Sequence, residues 1–278
     1  MKTKAKSFYK MPLFWEICAV AVVVLVTAAA FALRQSASGD SRSTTAETKQ
    51  TKLSGLRENQ LAPEDFVYEG DYLTCLSTQT MLGIDVSVWQ EDIDWVQVKE
   101  AGIQFAMIRL GYRSMAEGLL NEDSCAKANY AGATAAGIQV GGYFFSQAVT
   151  VEEAVQEARF VLEMIRDWEL QMPIVYDWEH TGQDTRTANV DARTLTDCAK
   201  AFCKTVEQAG YEAMVYFNSY QAENSLYLEE LAEYPFWLAQ YDQPLDFAHR
   251  VDIWQYTDQG SVPGIQGDVD VNLYFLYA

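Results

Sequence analysis

Two carboxylates, Asp177 and Glu179, end an apolar run that begins at Pro173 and reads P-I-V-Y-D-W-E. Its β-branched and aromatic residues predict a buried strand, in which alternation places both acids on one face. At a rise of ~3.3 Å per residue, the two residues lie roughly 6.5–7 Å apart. Glycoside-cleaving enzymes use two carboxyl groups roughly 5–9.5 Å apart, one of them protonated to release the leaving oxygen. The pair could also cap loops or bind a basic side chain, and this run alone leaves both interpretations open.

Other predicted strands carry polar side chains of the same kinds. Asp85 lies near the end of the first strand, in G-I-D-V-S, and Asp270 lies in the last one, in D-V-D-V-N. Four acids that converge from different strands, together with flat rings that stack on sugar faces, indicate a carbohydrate-binding cleft. An aromatic residue of a barrel is more often a core residue than a ligand, so each ring is a weaker candidate than the acids. The candidates on the remaining strands are Tyr143, Phe145, Trp237 and Gln255.

The elements that must position these residues alternate between strand and helix from residue 81 onward. The pattern predicts strands at 81–86, 105–110, 138–145, 173–179 and 211–218, with helices at 94–102, 122–136, 150–168 and 192–209. Strands separated by helices form right-handed units of a parallel sheet. Three further strands, at 235–241, 252–256 and 269–275, are separated by about ten to twelve residues, at or below the minimum for a helical crossover. We therefore predict an α/β barrel of eight strands, poor in helices at its end, with the active site at the carboxyl ends of the strands.

The N-terminal segment predicts export. Residues 1–10 contain four lysines, and an uncharged run of seventeen residues follows from Ile17 to Leu33. As a helix this run spans roughly 25 Å, near the lower limit for crossing a bilayer, and its basic end stays in the cytoplasm. We expect residues 1–34 to be a single-pass signal-anchor in the cell membrane, with the following domain outside. The alternative is a signal peptide cleaved near residue 32, which would release the protein.

Residues 35–80 are predicted to be an extracytoplasmic linker. Residues 36–52 are rich in Ser, Thr, Ala, Lys and Gln without apolar periodicity, which is typical of a disordered stalk. Residues 81–278 then form the catalytic domain. Between residues 53 and 80, scattered apolar side chains could either pack on that domain or belong to an extended linker; they are Leu61, Phe66, Tyr68, Tyr72 and Leu73.

Composition argues against two kinds of site. Residues 35–278 carry 15 basic and 38 acidic residues, a formal charge of −23, and such a surface repels nucleic acid. His180 and His249 are the only histidines of the sequence, so we expect no metal site. Paired carboxylates hydrolyse glycosides without a cofactor, so we expect none.

Six stretches of the sequence together resemble the motifs of glycoside hydrolase family 25, the Chalaropsis-type lysozymes. They are G-I-D-V-S at 83–87, G-G-Y-F-F at 141–145, P-I-V-Y-D-W-E at 173–179, F-W-L-A-Q-Y at 236–241, I-W-Q-Y at 253–256 and V-D-V-N-L-Y-F at 269–275. The resemblance covers about residues 81–278. It implies a TIM-like flattened barrel with five β/α units followed by three strands. It also implies cleavage of the β-1,4 bond between N-acetylmuramic acid and N-acetylglucosamine in the glycan strands of peptidoglycan.

The resemblance implies roles by position. Glu179 matches the general acid/base, and the nearby acids would raise its pKa by like-charge repulsion. Asp177 matches the second carboxylate, which either attacks the anomeric carbon or orients the substrate's own 2-acetamido oxygen as nucleophile; we favour the substrate-assisted route with retention. Asp85 and Asp270 match outer acids that position the substrate and tune Glu179. The motif positions that line the groove are matched by Tyr143, Tyr216, Trp237 and Gln255.

Two other functions stay open at this level. A chitinase-like glycosidase would use a similar D-x-E at a strand end, and a preference for chitin over peptidoglycan would identify it. A non-catalytic wall-binding module would be expected to have lost an acid, whereas all four acids are present. An anchored muramidase would remodel the cell's own wall, and a released one would act in lysis.

Overall fold

The computed structural model describes residues 55–277. The predicted signal-anchor and the first part of the predicted linker lie outside the described residues, so both stay predictions. Among residues 55–277, no helix combines the length and the apolar character that crossing a membrane requires.

Between residues 55 and 277 a hairpin precedes alternating strands and helices. The strands are β1 (Phe66–Glu69), β2 (Tyr72–Cys75), β3 (Gln79–Val86), β4 (Phe105–Arg113), β5 (Leu120–Glu122), β6 (Gln139–Ser146), β7 (Ile174–Trp178), β8 (Ala213–Asn218), β9 (Phe236–Ala239), β10 (Ile253–Gly260) and β11 (Val269–Leu276). The α-helices are α1 (Trp95–Glu100), α2 (Ala126–Ala135), α3 (Val151–Met164), α4 (Ala192–Gln208) and α5 (Ser219–Asn224). Short 3-10 helices span Pro63–Asp65, Val88–Gln90 and Leu228–Glu230.

Eight of these strands close into a barrel, which confirms the predicted architecture. Around the ring the order is β3, β11, β10, β9, β8, β7, β6 and β4, and β4 pairs again with β3. The neighbours from β3 through β4 to β10 are parallel, whereas β11 is antiparallel to both β10 and β3. Because antiparallel strands can be joined by a short loop, no helical crossover is required between β10 and β11.

In the described chain an α-helix follows each of the first five barrel strands and none of the last three. Asp94, Thr150 and Asp191 begin α1, α3 and α4, because each side chain accepts hydrogen bonds from backbone N–H groups of the first turn. The helix predicted at 122–136 begins only at Ala126. The residues just before it form β5, which pairs with the end of β4.

Strand alternation divides the apolar residues between two cores. Along β7, Val175 belongs to the cluster inside the barrel, whereas Ile174, Tyr176 and Trp178 belong to the cluster between the barrel and the helices. The predicted alternation is therefore confirmed within Ile174–Trp178, whereas Glu179 lies beyond the end of the strand. Asp177 lies two residues after Val175, so the strand places it on the inner side as well.

Part of the predicted linker is folded against the barrel. β1 and β2 form an antiparallel hairpin, and the ring of Phe66 lies 4.9 Å from that of Trp254 on β10. Ahead of the hairpin, the backbone N–H of Asn59 donates to the carbonyl of Ala248 at 3.0 Å. Of the two interpretations left open for this segment, packing on the domain holds for Leu61, Phe66, Tyr72 and Leu73, whereas Tyr68 is exposed.

Candidate active site

The barrel brings the four predicted acids together at one end. Asp85 lies near the carboxyl end of β3, Asp177 lies near that of β7, and Glu179 follows β7 directly. Asp270 is the second residue of β11 and pairs in register with Asp85. Because β11 is antiparallel to β3, its beginning lies at the same end of the barrel as the carboxyl ends of the parallel strands. The direction of β11 therefore places Asp270 in the cleft.

Two amides hold Asp85 as a carboxylate. Gln255 Nε2 and Asn272 Nδ2 each donate to Asp85 Oδ2 at 2.8 Å. The oxygen of each amide is held by another side chain, which sets the orientation of the amide. Asn272 Oδ1 accepts from the indole N–H of Trp237 at 2.8 Å, and Gln255 Oε1 accepts from the hydroxyl of Tyr241 at 2.6 Å. Each amide can then present only its NH₂ group to Asp85.

A second phenol completes this network. The hydroxyl of Tyr216 also donates to Gln255 Oε1, at 3.0 Å. Tyr216, Trp237 and Gln255 were predicted to line the groove, and all three are buried, at 8%, 2% and 3% exposure. In this structure they form the floor beneath the acids and orient Asp85. Their contact with a substrate stays a prediction.

Asp85 and Asp270 form a carboxyl pair with one negative charge. Burial raises the pKa of Asp85, and hydrogen bonds from Asn272, Gln255 and Asp270 oppose that rise. The pKa of Asp270 is raised to about 10, first by burial and then by the charge of Asp85 and the hydrogen bond between the two side chains. Asp270 is therefore the protonated partner at neutral pH and donates to the Asp85 carboxylate.

Glu179 is an acid of the cleft that titrates near neutrality. Its pKa is raised from 4.5 to about 7, first by burial and then by the negative charge of Asp85. The pKa of Asp177 is raised well above its usual value by burial, by Glu179 and by Asp85, while Arg109 opposes the rise. Asp177 Oδ1 is buried and has no hydrogen-bond partner within the described part of the chain. The site thus offers a carboxyl group that is partly protonated at neutral pH beside an unpartnered acceptor atom.

Arg109 supplies positive charge to this acidic cleft. It lies on β4, two residues beyond Met107, which belongs to the interior cluster. Its Nε donates to Asp123 Oδ2 at 2.7 Å, and buried Asp123 is itself held by the backbone N–H of Val88 at 3.1 Å. Arg109 was not among the predicted site residues. Its position two residues after Met107 in F-A-M-I-R, on the inward face, is the signal that could have identified it.

The loop that follows Glu179 is fastened by the side chain of Gln147. Gln147 is fully buried at the end of β6, and its Oε1 accepts from the hydroxyls of Thr181 and Thr187, each at 3.0 Å. Its Nε2 donates to the carbonyl of Glu179 at 3.4 Å. One amide therefore connects the backbone of Glu179 to two points of the following loop.

Arg186 fastens the same loop to α3. Its Nη2 donates to Glu153 Oε1 at 2.6 Å, and its Nη1 donates to the carbonyl of Gln147 at 2.7 Å. Since both partners lie outside the loop, the segment from residue 180 to 190 is fixed beside the cleft by side-chain hydrogen bonds. Neither Gln147 nor Arg186 was predicted, because their partners are more than thirty residues away in sequence.

The remaining predicted residues lie on β6. Tyr143 and Phe145 are partly exposed, and the ring of Tyr143 meets that of Trp237 edge to face at 6.1 Å. Burial raises the pKa of Tyr143 well above its usual value, so its hydroxyl stays protonated. Phe145 pairs in register with Asp177, so both β6 side chains lie beside the acids.

No metal or cofactor enters the chemistry that this arrangement suggests. Among residues 55–277, no group of three or more His, Cys, Asp and Glu side chains is arranged to hold a metal ion. The expectation that the protein uses neither stays a prediction. The protonated carboxyl group of Glu179 can transfer a proton to a leaving oxygen. The Asp85 carboxylate and the acceptor atom Asp177 Oδ1 can stabilise positive charge on a sugar ring.

Comparisons with known proteins agree with this chemistry. A family model described as "Glycosyl hydrolases family 25" matches residues 84–265. Lysozyme M1 of Streptomyces globisporus is 28% identical over 208 residues, covering 71% of this chain and 68% of that protein. An autolytic lysozyme of Clostridium acetobutylicum is 30% identical over 195 residues, covering 69% of this chain and 55% of that protein.

Solved structures share the fold. The modular autolysin LytC of Streptococcus pneumoniae superposes with a TM-score of 0.65 at 26% identity, covering 76% of this chain and 52% of that chain, so this chain spans about half the length of the autolysin. A family 25 glycosyl hydrolase of Bacillus anthracis superposes with a TM-score of 0.59 at 18% identity, covering 75% and 94% of the two chains. Because the family model spans most of the barrel, including Asp85, Asp177 and Glu179, the chain belongs to glycosyl hydrolases family 25 and is a glycoside hydrolase.

Proposed function

We propose that this glycoside hydrolase is a peptidoglycan hydrolase of the lysozyme type, an N-acetylmuramidase. The observation that carries the proposal is Glu179, a cleft carboxyl group with a pKa of about 7, beside Asp177. Two relatives are named lysozymes, and the pneumococcal autolysin has been solved with a synthetic peptidoglycan ligand. The bond cleaved is the β-1,4 bond between N-acetylmuramic acid and N-acetylglucosamine.

In the first step Glu179 gives its proton to the glycosidic oxygen as the bond from that oxygen to the anomeric carbon breaks. The oxygen of the substrate's 2-acetamido group forms a new bond to the anomeric carbon from the opposite face. Asp177 Oδ1, which has no hydrogen-bond partner among residues 55–277, accepts the acetamido N–H and stabilises the positive charge that develops on this group. The released sugar leaves with the proton that Glu179 held.

In the second step the Glu179 carboxylate takes a proton from water, and the oxygen of that water displaces the acetamido oxygen from the anomeric carbon. Two displacements at one carbon retain its configuration. The competing route, in which Asp177 itself bonds to the anomeric carbon, would leave a glycosyl ester on Asp177. Mass spectrometry of the acid-quenched enzyme distinguishes the routes, because only the competing route adds a sugar mass to the peptide that contains Asp177.

The test of the function is an end-group analysis. Full-length protein is incubated with purified peptidoglycan, and the new reducing ends are reduced with borohydride and identified by mass spectrometry. We expect reduced N-acetylmuramic acid from the native protein and none from Glu179→Gln. The matched control is Glu163→Gln, the same substitution at an exposed position on α3, which should leave activity unchanged.

Each other outcome refutes a stated part of the proposal. Reduced N-acetylglucosamine ends would mean that the opposite glycosidic bond is cut. Cleavage of chitin without cleavage of peptidoglycan would favour the chitinase-like alternative. Retained activity in Glu179→Gln would remove Glu179 from the role of acid, and absence of cleavage from any glycan would favour the wall-binding alternative.

We further propose that the enzyme is held at the cell membrane by residues 17–33, with the barrel outside. The support is the basic start and the uncharged run of the sequence, together with the place where the chain enters the described barrel. Leu56 and Arg57 line a surface pocket with Glu212, Pro235 and Asp252, residues that immediately precede β8, β9 and β10. This end of the barrel is opposite to the acids, so a tether attached there would leave the cleft facing the wall.

Cell fractionation with protease treatment of intact cells tests this placement. We expect the full-length protein in the membrane fraction and degradation of the barrel by external protease. Mature protein free in the medium and beginning near residue 33 would support the cleaved signal peptide instead.

A further inference from the structure

Exposed apolar side chains are concentrated at the catalytic end of the barrel. Among residues 55–277, most large apolar side chains with more than a third of their surface exposed lie on segments that follow the carboxyl ends of β3, β4, β6 or β8. They are Trp89, Val96, Met115, Leu119, Val151 and Tyr220. The others, Tyr68, Leu76 and Leu276, lie on the N-terminal hairpin or at the opposite end of the barrel. Two of the side chains at the catalytic end are aromatic.

Trp89 is a half-exposed ring on a rigid turn. It lies in the 3-10 helix that follows β3 and is 50% exposed. Its backbone N–H donates to Ser87 Oγ at 3.3 Å, and Ser87 N–H donates to Gln90 Oε1 at 2.9 Å. The neighbouring Val88 N–H donates to Asp123, the residue that also holds Arg109. These bonds fix the backbone that carries the indole while leaving half of its surface open.

Tyr220 is a second exposed ring, and it reaches the residues that flank Glu179 only through the ring of His180. It lies on α5, directly after β8, and is 59% exposed. Its ring lies 6.4 Å from that of His180, which in turn lies 5.4 Å from that of Trp178. Gln221 donates to the carbonyl of Trp178 and so attaches α5 to the end of β7. Rings therefore extend from the residues that flank Glu179 to the rim of the cleft.

The two rings lie on opposite sides of the barrel mouth. β3 and β8 are four places apart in either direction around the eight-stranded ring. Asp270 lies on β11, the neighbour of β3, which leads to Trp89. Asp177 lies on β7, the neighbour of β8, which leads to Tyr220. The acids therefore lie between the two rings. Eight strands spaced ~4.8 Å apart and tilted by about 36° enclose a ring on the order of 15 Å across, which several sugar units would span.

We propose that Trp89 and Tyr220 are stacking subsites for N-acetylated sugar units at the two ends of the cleft. The proposal rests on the proposed glycan substrate. Pyranose rings present C–H faces that pack on aromatic rings, and the lactyl carboxyl of peptidoglycan is neutral where it carries a stem peptide. The strongly acidic domain favours such uncharged contacts over ionic ones. The two rings hold the strand across the acids, and polymer is bound better than a single disaccharide.

Kinetics on substrates of two lengths tests the subsites. For Trp89→Ala and Tyr220→Ala, we expect kcat/KM on soluble, uncross-linked peptidoglycan strands to fall roughly threefold to tenfold, mainly through KM. Activity on a chromogenic disaccharide glycoside, which occupies only the sites beside the scissile bond, should be unchanged. Trp89→Phe and Tyr220→Phe keep a ring and should retain most of the activity on strands.

The matched control is Tyr68→Ala, which removes a 69% exposed ring from the N-terminal hairpin. If the native enzyme cleaves strands and both rim variants behave like Tyr68→Ala, the subsite proposal is wrong while the proposed function stands. An equal loss on both substrates, or a loss of kcat alone, would also overturn it, because either result indicates a damaged catalytic centre. If the native enzyme cleaves neither substrate, the proposed function fails and the subsites fail with it.

Discussion

Replacing Asp85 by Asn removes the negative charge that faces Glu179 while nearly preserving the volume of the side chain. A general acid must be protonated to act, so kcat/KM falls above its pKa, and the profile of kcat/KM reports the pKa of the free enzyme. With a pKa of about 7 for Glu179, the native enzyme should lose activity tenfold per unit above pH ~7. Removing the charge of Asp85 lowers the pKa of Glu179 and moves this limb to lower pH.

The size of the movement follows from the causes of the pKa rise. The pKa of Glu179 rises from 4.5 to about 7, and burial contributes more than Asp85 does. Asp85 therefore accounts for less than half of the difference, and the limb should move down by about 1 pH unit, equivalent to ~1.4 kcal/mol. At pH 8, kcat/KM of the variant relative to that of the native enzyme should be about tenfold lower than the same ratio at the pH optimum. Asp270 should stay neutral, because burial is the largest cause of its raised pKa.

The assay is the pH profile of kcat/KM on soluble peptidoglycan strands for the native enzyme and for Asp85→Asn. Asp71→Asn is the control, since it removes a charge of the same sign from an exposed position in the turn between β1 and β2 and should not move the limb. The double variant Asp85→Asn/Asp270→Asn should match Asp85→Asn, which checks that Asp270 has not ionised. An unchanged limb, or one that moves to higher pH, would refute the electrostatic reasoning.

Three further variants test other parts of the structure. Arg109→Leu removes the positive charge that lowers the pKa of Asp177, so the pKa of Asp177 should rise further and the acidic limb of the kcat/KM profile should move to higher pH. Arg109→Lys keeps the charge and should return the acidic limb to its native position. An unmoved limb in Arg109→Leu would show that Arg109 does not lower the pKa of Asp177. Asp177→Asn should reduce kcat by ~10²–10⁴-fold, and a reduction of less than about tenfold on peptidoglycan would assign Asp177 a structural role only. Glu157→Ala leaves Arg113 buried without its 2.6 Å partner and should cost ~3–5 kcal/mol of stability. Because the fold raises the pKa of Glu157 from 4.5 to about 7, the contribution of Glu157 is largest below pH ~4.5 and declines as the pH rises to ~7. Thermal melting at pH 5 should therefore show a decrease of several degrees that becomes smaller at pH 8, whereas native-like melts at both pH values would mean that the pair contributes nothing.

The strands and helices of the barrel could be predicted from the sequence, because each of them depends on residue patterns that repeat over a few positions. Alternation in P-I-V-Y-D-W-E predicted that successive side chains of this strand lie on opposite faces, and the structure places Val175 inside the barrel and Ile174 outside it. The helices predicted to begin at residues 94 and 150 do begin there, because the side chains of Asp94 and Thr150 accept hydrogen bonds from backbone N–H groups two or three residues ahead. The hairpin of β1 and β2 was missed, because its apolar residues are stabilised by contacts with β10 and β11, far away in sequence.

By itself, the sequence determined which acids are available and on which strands they lie, because strand periodicity and helix caps act over a few residues. The tertiary structure decided how burial and the neighbouring charges set the pKa of each acid. Asp270 meets Asp85 across 185 residues because β11 closes the ring antiparallel to β3, and Arg109 reaches Asp177 because β4 and β7 flank β6 in the closed ring. Charges that interact across so many residues depend on ring closure and on burial away from water, and neither is encoded in any local stretch of the chain.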